Sequence, residues 1–258
     1  MINIGLLGFG RTGKEVAREF LLDKSVNLSC VFKYHDTYEV GKDVGYLLGL
    51  KSSNVKMSLC ENYENVLLQT KPDVIVDFAA KRSVLHYIDI NVQHGVNLVI
   101  CSTGYNKTQI DLIKSKAENI GILLAPNITM GINLLLKLSK IAKRNLPEAD
   151  ISIIETHHSA KQDISGTALK LADELQDTED IKIGRQKDKP RVDNEIVIHK
   201  IRAGGIIGKH EIIFGNPFET ITLIHRTVSR QAFGRGAVLA SHWIKGKKGF
   251  YSMEDVIK

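Results

Sequence analysis

Short apolar runs alternate with amphipathic stretches through the first half of the chain, and this rhythm limits the fold more than any other feature. Ile2 to Leu7, Val26 to Phe32, Asp73 to Phe78, Val96 to Cys101 and Ile122 to Ala125 read as buried strands. Between them, Arg11 to Leu22 sets Val16, Ala17, Phe20 and Leu21 on one helical face. Ser83 to His94 and Lys107 to Asn119 repeat the pattern. Strand followed by helix, repeated, predicts an α/β domain with parallel strands and helices on both faces. Ligands of such a sheet bind beyond the carboxyl ends of its strands.

The second half changes character. Ile132 to Arg144 reads as one long helix, followed by strand-like runs at Asp150 to Glu155, Glu195 to Ile201, Ile206 to Phe214 and Thr220 to His225. Alternation in Glu195-Ile-Val-Ile-His-Lys-Ile points to strands with one wet face, and so to an α+β domain with a mixed or antiparallel sheet. The polar segment Gln176 to Arg191 reads as a loop, and the tail from Phe233 turns helical again. The expected division is 1–126 with 232–258 for the first domain and 127–231 for the second.

Gly8-Phe-Gly10-Arg11-Thr12-Gly13 stands directly after the first strand and opens the first helix. The first glycine permits a tight turn, the second lets a pyrophosphate reach the backbone, and the third lets helix and strand pack closely. The helix start adds amide donors and partial positive charge, so this turn reads as a dinucleotide site. Such sites usually carry an acid at the end of the second strand, which here ends Val31-Phe32-Lys33-Tyr34. An acid grips the ribose 2′-hydroxyl, whereas a cation suits a 2′-phosphate, so Lys33 favours NADPH over NADH. The alternative is a solvated Lys33, with Asp36 serving the ribose.

A second cluster is Glu155-Thr-His157-His158-Ser-Ala-Lys161-Gln-Asp163-Ile-Ser165-Gly166-Thr167-Ala168. Histidine titrates near neutral pH and can deliver a proton. Lys161 offers a cation to a carboxylate, and Ser165-Gly166-Thr167 opens a helix whose amides can cradle an anion, with Ser165 or Thr167 as its cap. Adjacent strand residues point to opposite faces, so His157 and His158 share a ligand only if the strand has ended. Neither cluster carries a third ligand at metal-binding spacing, and no metal is expected.

Bulk properties narrow the classes. The chain has 258 residues and a net charge of +6, from 35 basic and 29 acidic residues. The basic residues are scattered with few aromatics among them, which speaks against nucleic acid and for small anionic ligands. No apolar run approaches the roughly 18 residues of a membrane span, and Met1 to Gly8 reads as a strand rather than a secretion signal. Cys30, Cys60 and Cys101 form no disulfide or metal pattern, so a reducing, cytoplasmic setting is expected.

The central cluster resembles the signature of dihydrodipicolinate reductases, the 4-hydroxy-tetrahydrodipicolinate reductases of lysine and diaminopimelate biosynthesis. The likeness continues in Ala125-Pro126-Asn127-Ile-Thr-Met-Gly131-Ile-Asn133, in Arg202-Ala-Gly-Gly-Ile-Ile-Gly208-Lys-His210, in Glu219 to His225, in Ser229-Arg230 with Phe233, and in Gly249 to Asp255. The resemblance implies a Rossmann-type nucleotide domain and a substrate-binding, oligomerisation domain in a homotetramer. It implies His157 as general acid, Lys161 assisting, and His158, Lys161, Ser165, Gly166 and Thr167 on the two substrate carboxylates. Gly8, Gly10, Arg11, Thr12 and Gly13 would take the pyrophosphate and Lys33 would sit near the ribose. Phe78, Ala79, Ser102, Thr103, Gly104, Pro126 and Asn127 would lie at or beside the nicotinamide. The Gly8–Gly10 turn and the Asp163-Ile-Ser165 segment are each one residue shorter than the family's usual form. Those departures keep two alternatives open: an oxidoreductase of a related dicarboxylate, and a silent nucleotide-binding paralogue.

Overall fold

The computed structural model describes residues 1–176, 181–184 and 195–257. The chain divides into two compact units, 1–129 with 230–258, and 130–229.

The first unit is built on strands β1 (Ile2–Leu7), β2 (Val26–Lys33), β3 (Met57–Leu59), β4 (Val74–Asp77), β5 (Asn97–Ile100), β6 (Gly121–Leu124) and a late strand, β12 (Gly249–Ser252). They form one parallel sheet in the order β12-β6-β5-β4-β1-β2-β3. The order reverses beside β1, which creates the crevice where such sheets bind nucleotides. Period-two alternation splits the core. Ile2, Ile4 and Leu6 meet Val16 and Phe20 of helix α1 (Arg11–Leu22) and Ala237 and Ile244 of the late helix α8 (Gln231–Ile244). Leu7 and Phe32 turn to the other face. There they meet Tyr63 and Leu67 of α3 (Tyr63–Thr70), Ile88 of α4 (Ile88–Gln93) and Ile113 of α5 (Lys107–Lys116). Short helices α2 (Val44–Leu47) and α9 (Met253–Val256) complete the unit.

The helix expected over 83–94 breaks into a 3₁₀ turn, Ser83–His86, and α4. Tyr87 stands between them at φ −137°, its ring stacked on Tyr63 with centroids 4.8 Å apart. Burying that ring outweighs continuous helical bonding. Strands β3 and β12 lie where no strand was expected. Three or four residues show no period, and neither Met57-Ser-Leu59 nor Gly249-Phe-Tyr-Ser252 carries the three-residue aliphatic run that marks the equally short β4, β5 and β6.

The second unit holds helices α6 (Met130–Asn145) and α7 (Gly166–Leu175) and strands β7 (Asp150–His157), β8 (Ile181–Ile183), β9 (Ile196–Arg202), β10 (Gly208–Gly215) and β11 (Thr220–Thr227). The sheet order is β11-β10-β7-β9-β8. Strand β10 runs antiparallel to β7 and β11, and β9 is parallel to β7 and β8, so the sheet is mixed. Alternate residues Ile151, Ile153, Ile196, Ile198, Ile212 and Phe214 join Leu135 and Leu136 of α6 and Leu171 and Leu175 of α7 in one core. Strand β8 corrects the loop expected over 176–191; its three residues carry no legible alternation, and positions 177–180 and 185–191 lie outside the described residues.

Candidate active site

In the first unit the strand register gathers the cofactor candidates. Leu7 pairs with Phe32 and with Asp77, Asp77 with Ile100, and Ile100 with Leu124, so these strand ends lie in one row. Gly8, Lys33, Phe78 and Ala79, then Ser102, Thr103 and Gly104, then Pro126 and Asn127 all follow that row at the carboxyl edge. Gly8 has φ +97° and would, with a side chain, meet the Phe78–Ala79 backbone at 2.7 Å. A Cβ on Gly13 would stand 2.1 Å from the Gly8 carbonyl oxygen, whereas one on Gly10 would meet nothing within 4 Å. The turn is therefore pressed against the start of α1 and open at Gly10. Arg11 and Thr12 form the first helical turn. This arrangement fits a dinucleotide: an open glycine, a helix N-terminus and a crevice at the strand-order reversal.

One buried carboxylate fixes the loops of this edge. Asp77 Oδ1 accepts from the Ala79 amide at 2.8 Å, and Oδ2 accepts from Ser102 Oγ at 3.0 Å and from Ser83 Oγ. Burial pushes its pKa up to about 6, against the hydrogen bonds that favour the charge. Arg82 joins the same two loops, its Nε donating to the Gly104 carbonyl at 2.7 Å. Asn127 accepts from the Thr129 amide and hydroxyl, at 3.2 and 3.0 Å.

The acid that the second strand lacks stands six residues on. Glu39 is buried, and accepts from Lys14 Nζ at 2.8 Å and from Lys33 Nζ. Burial pushes its carboxyl up, but the two lysines outweigh it and hold it below the ordinary glutamate value. Lys33 is thus a paired cation and not the solvated lysine of the alternative, while Asp36 is exposed. No strand-end spacing points to Glu39; burial alone reveals it.

In the second unit the helix-facing stripe of the sheet turns from apolar to polar at one end. Ile151 and Ile153 are followed on the same side by Glu155 and His157; Phe214 and Ile212 lead to His210, and Ile196 and Ile198 to Arg202. Glu155 pairs in register with His210, His157 with Arg202, and His210 with His225. His157 Nε2 would lie 3.2 Å from a Cβ on Gly208, so the ring packs closely over that glycine and a side chain there would press on it. Strand β7 ends at His157, which leaves His158 in the following loop. There the Lys161 amide closes a turn on the His158 carbonyl at 3.0 Å.

Glu155 is fully buried, with Oε2 2.5 Å from His157 Nδ1 and Oε1 accepting from Arg202 Nη2 at 2.6 Å. Arg202 also donates to the Lys161 and Asp163 carbonyls, both at 2.8 Å. One guanidinium thereby ties down the whole 155–163 segment. The shortened segment still delivers Ser165 as the cap of α7, its Oγ accepting from the Ala168 amide at 3.0 Å and lying 2.9 Å from His210 Nε2. Gly166 and Thr167 form the helix's first turn, where the dipole favours an anion. Burial lowers the pKa of His157, helped by Lys161 and Arg202 and opposed by Glu155. His210 is pushed down to about 3, by burial first and then by the charge of His157. One side-chain nitrogen or oxygen from each of Glu155, His157 and His210 lies within 4.8 Å of the others, but the Arg202 charge on Glu155 disfavours a metal cation and suits a proton. The sequence gives no role to Glu155, Arg202 or His210. Their signal is a polar residue at each position where the core alternation calls for an apolar one.

No helix among the described residues is long and apolar enough to cross a membrane. Residues 2–128 match the model of the dihydrodipicolinate reductase N-terminus, and residues 131–257 match that of its C-terminus. The chain is 35% identical over 267 residues to the 4-hydroxy-tetrahydrodipicolinate reductase of Methanocaldococcus jannaschii, covering 100% of this chain and 97% of that one. It is 36% identical to the enzyme of the same name from Aquifex aeolicus, covering 96% and 95%. Among solved structures, a dipicolinate-bound dihydrodipicolinate reductase from Paenisporosarcina sp. TG-14 superposes with a TM-score of 0.81 at 27% identity, covering 100% of both chains. An amine dehydrogenase from Mycobacterium smegmatis shares the fold, with a TM-score of 0.72 at 15% identity over 100% of this chain and 96% of that one. With both halves matched and relatives aligned over the full length, the chain belongs to the dihydrodipicolinate reductase family.

Proposed function

We propose that this protein reduces the unsaturated cyclic dicarboxylate of lysine and diaminopimelate synthesis, 4-hydroxy-tetrahydrodipicolinate or dihydrodipicolinate, to tetrahydrodipicolinate with NADPH or NADH. The observation that carries the reading is the second unit's pairing of a proton donor with an anion cradle. His157, backed by Glu155, stands on the stripe whose next strand holds His210, and His210 binds the Ser165 cap of α7. His157 is the general acid and Lys161 assists it. His158, Lys161, Ser165, Gly166 and Thr167 hold the carboxylates, by cation and by helix start. When bound, the nicotinamide supplies the hydride. Gly8, Gly10, Arg11, Thr12 and Gly13 take the pyrophosphate, and Lys33 and Glu39 face the ribose. Phe78, Ala79, Ser102, Thr103, Gly104, Pro126 and Asn127 line the nicotinamide. Because Lys33 is already paired with Glu39, the preference for NADPH over NADH is small.

The protein assembles as a homotetramer through the second unit. The side of the sheet away from α6 and α7 carries Ile201 and Ile224, 46% and 51% exposed, and β11 is an edge strand. The three free cysteines fit a cytoplasmic setting. The test is oxidation of NADPH followed by absorbance with freshly generated substrate. His157→Gln and Lys161→Ala are expected to lower kcat by roughly 10²–10⁴-fold, the usual contribution of general acid catalysis. NADPH binding without turnover in the parent protein would overturn the reading.

A further inference from the structure

Glu155 is the carboxylate of the polar stripe and has two distinct partners. Its Oε1 accepts from Arg202 at 2.6 Å and its Oε2 stands 2.5 Å from His157 Nδ1, an ion-pair contact. Neither Oε2 nor Nδ1 makes a hydrogen bond among the described residues, and both are buried, so each is left facing the other across this ion-pair contact. An ionised carboxylate only accepts, so the nitrogen against it must carry a proton. That leaves Nε2, the nitrogen over Gly208, as the one whose proton can leave.

We propose that Glu155 is the positioning residue of this reductase: it holds His157 with Nδ1 protonated so that the proton given to substrate departs from Nε2, and Arg202 keeps Glu155 ionised and turned toward the ring. This deepens the reductase reading and rests on it. In the step, the Nε2–H bond breaks, its electron pair stays on Nε2, and the proton joins the substrate atom that balances the incoming hydride. A neutral imidazole remains, its Nδ1–H on Glu155, until solvent reprotonates Nε2. The charged groups that act on His157 are Glu155 on β7, Lys161 in the loop and Arg202 on β9; the titratable groups facing it from the other strands are His210 on β10 and, beyond it, His225 on β11. His210 stays neutral and its Nε2 lies against Ser165. Glu155 is therefore the anion that stabilises the charged ring.

Glu155→Gln tests this with the same shape. Its amide oxygen can still accept from Arg202, but its NH₂ would then donate to Nδ1, leaving the ring's one proton on Nε2. Giving that proton up would leave an imidazolate. An analogous Asp→Asn change in a serine protease, where the wrong tautomer results, drops kcat about 10⁴-fold. We expect E155Q to lose at least 10²-fold in kcat, with KM for substrate and the fluorescence-measured Kd for NADPH within about threefold. The basic limb of its residual kcat/KM profile should move to lower pH, since the anion favouring the protonated ring is gone. Glu155→Asp, which restores a carboxylate, should recover at least tenfold of the lost kcat. Retained kcat in E155Q, an unmoved basic limb, or a parallel loss of kcat, NADPH affinity and melting temperature would overturn the proposal. His157→Gln, run alongside, separates the two ideas. If H157Q is inactive while E155Q is active, positioning alone fails; if H157Q is fully active, the acid assignment fails and takes the proposal with it.

Discussion

Replacing Glu39 by glutamine removes the shared counter-charge of two lysines and should strengthen the preference for NADPH over NADH. Glu39 is 5% exposed, while Lys33 and Lys14 are 24% and 39% exposed, so the anion is fixed and the cations can turn toward water. Each charge-assisted bond contributes about 1.5–3 kcal/mol when its partner is held. Turning of the lysines offsets much of the loss, leaving a cost of about 2 kcal/mol. At 2–4 °C per kcal/mol for a unit of this size, the melting temperature should fall by about 4–8 °C. Freed of Glu39, Lys33 becomes available to a 2′-phosphate. A unit charge pair about 4 Å apart is worth about 1 kcal/mol in water and about 4 kcal/mol near a protein surface. With Lys33 a quarter exposed, a gain of about 1.4 kcal/mol is reasonable, which is tenfold. The assay is the ratio of kcat/KM for NADPH to that for NADH, measured at low and high salt. E39Q should raise that ratio about tenfold at low salt and less at high salt. An unchanged ratio, or one moving toward NADH, would show that Lys33 does not face the ribose.

Asp77→Asn should become more stable relative to the parent as pH rises from 4 to 7. The raised acid contributes stability fully below pH ~4 and loses it as pH passes about 6, by about 3 kcal/mol, whereas asparagine does not titrate; parallel melting curves would refute this. Gly13→Ala, with its Cβ 2.1 Å from a carbonyl oxygen, should lower both melting temperature and NADPH affinity, while Gly10→Ala should spare the fold and weaken NADPH binding at least tenfold. His210 is held neutral in the fold, so between pH 6.5 and about 3 the unfolded chain takes up a proton that the fold refuses. Thermal melts should therefore drop below pH 6.5, and less steeply in His210→Asn.

The larger elements were legible because they repeat a period long enough to see. Strand β1 and helix α1 have the expected limits, since Ile2-Ile4-Leu6 and Val16-Phe20 each commit to one face. Strands β3, β8 and β12 were not legible, being held by pairing with distant residues rather than by local pattern. The histidines and the α7 cap stand in one continuous segment and were visible. Arg202 and His210 lie 45 and 53 positions beyond His157 and reach it only through strand register. Glu39 was hidden for a like reason, because lysines from α1 and β2 converge on it only after folding.

Helix α8 and strand β12 return the chain to the sheet it left at β6, with Gly249 to Ser252 beside Gly121 to Leu124. During synthesis, then, residues 130–229 emerge complete while the nucleotide-binding unit still lacks its last helix and edge strand. Until residues 230–258 follow, the apolar side of α1 around Val16 and Phe20 lacks the covering that Ala237 and Ile244 supply.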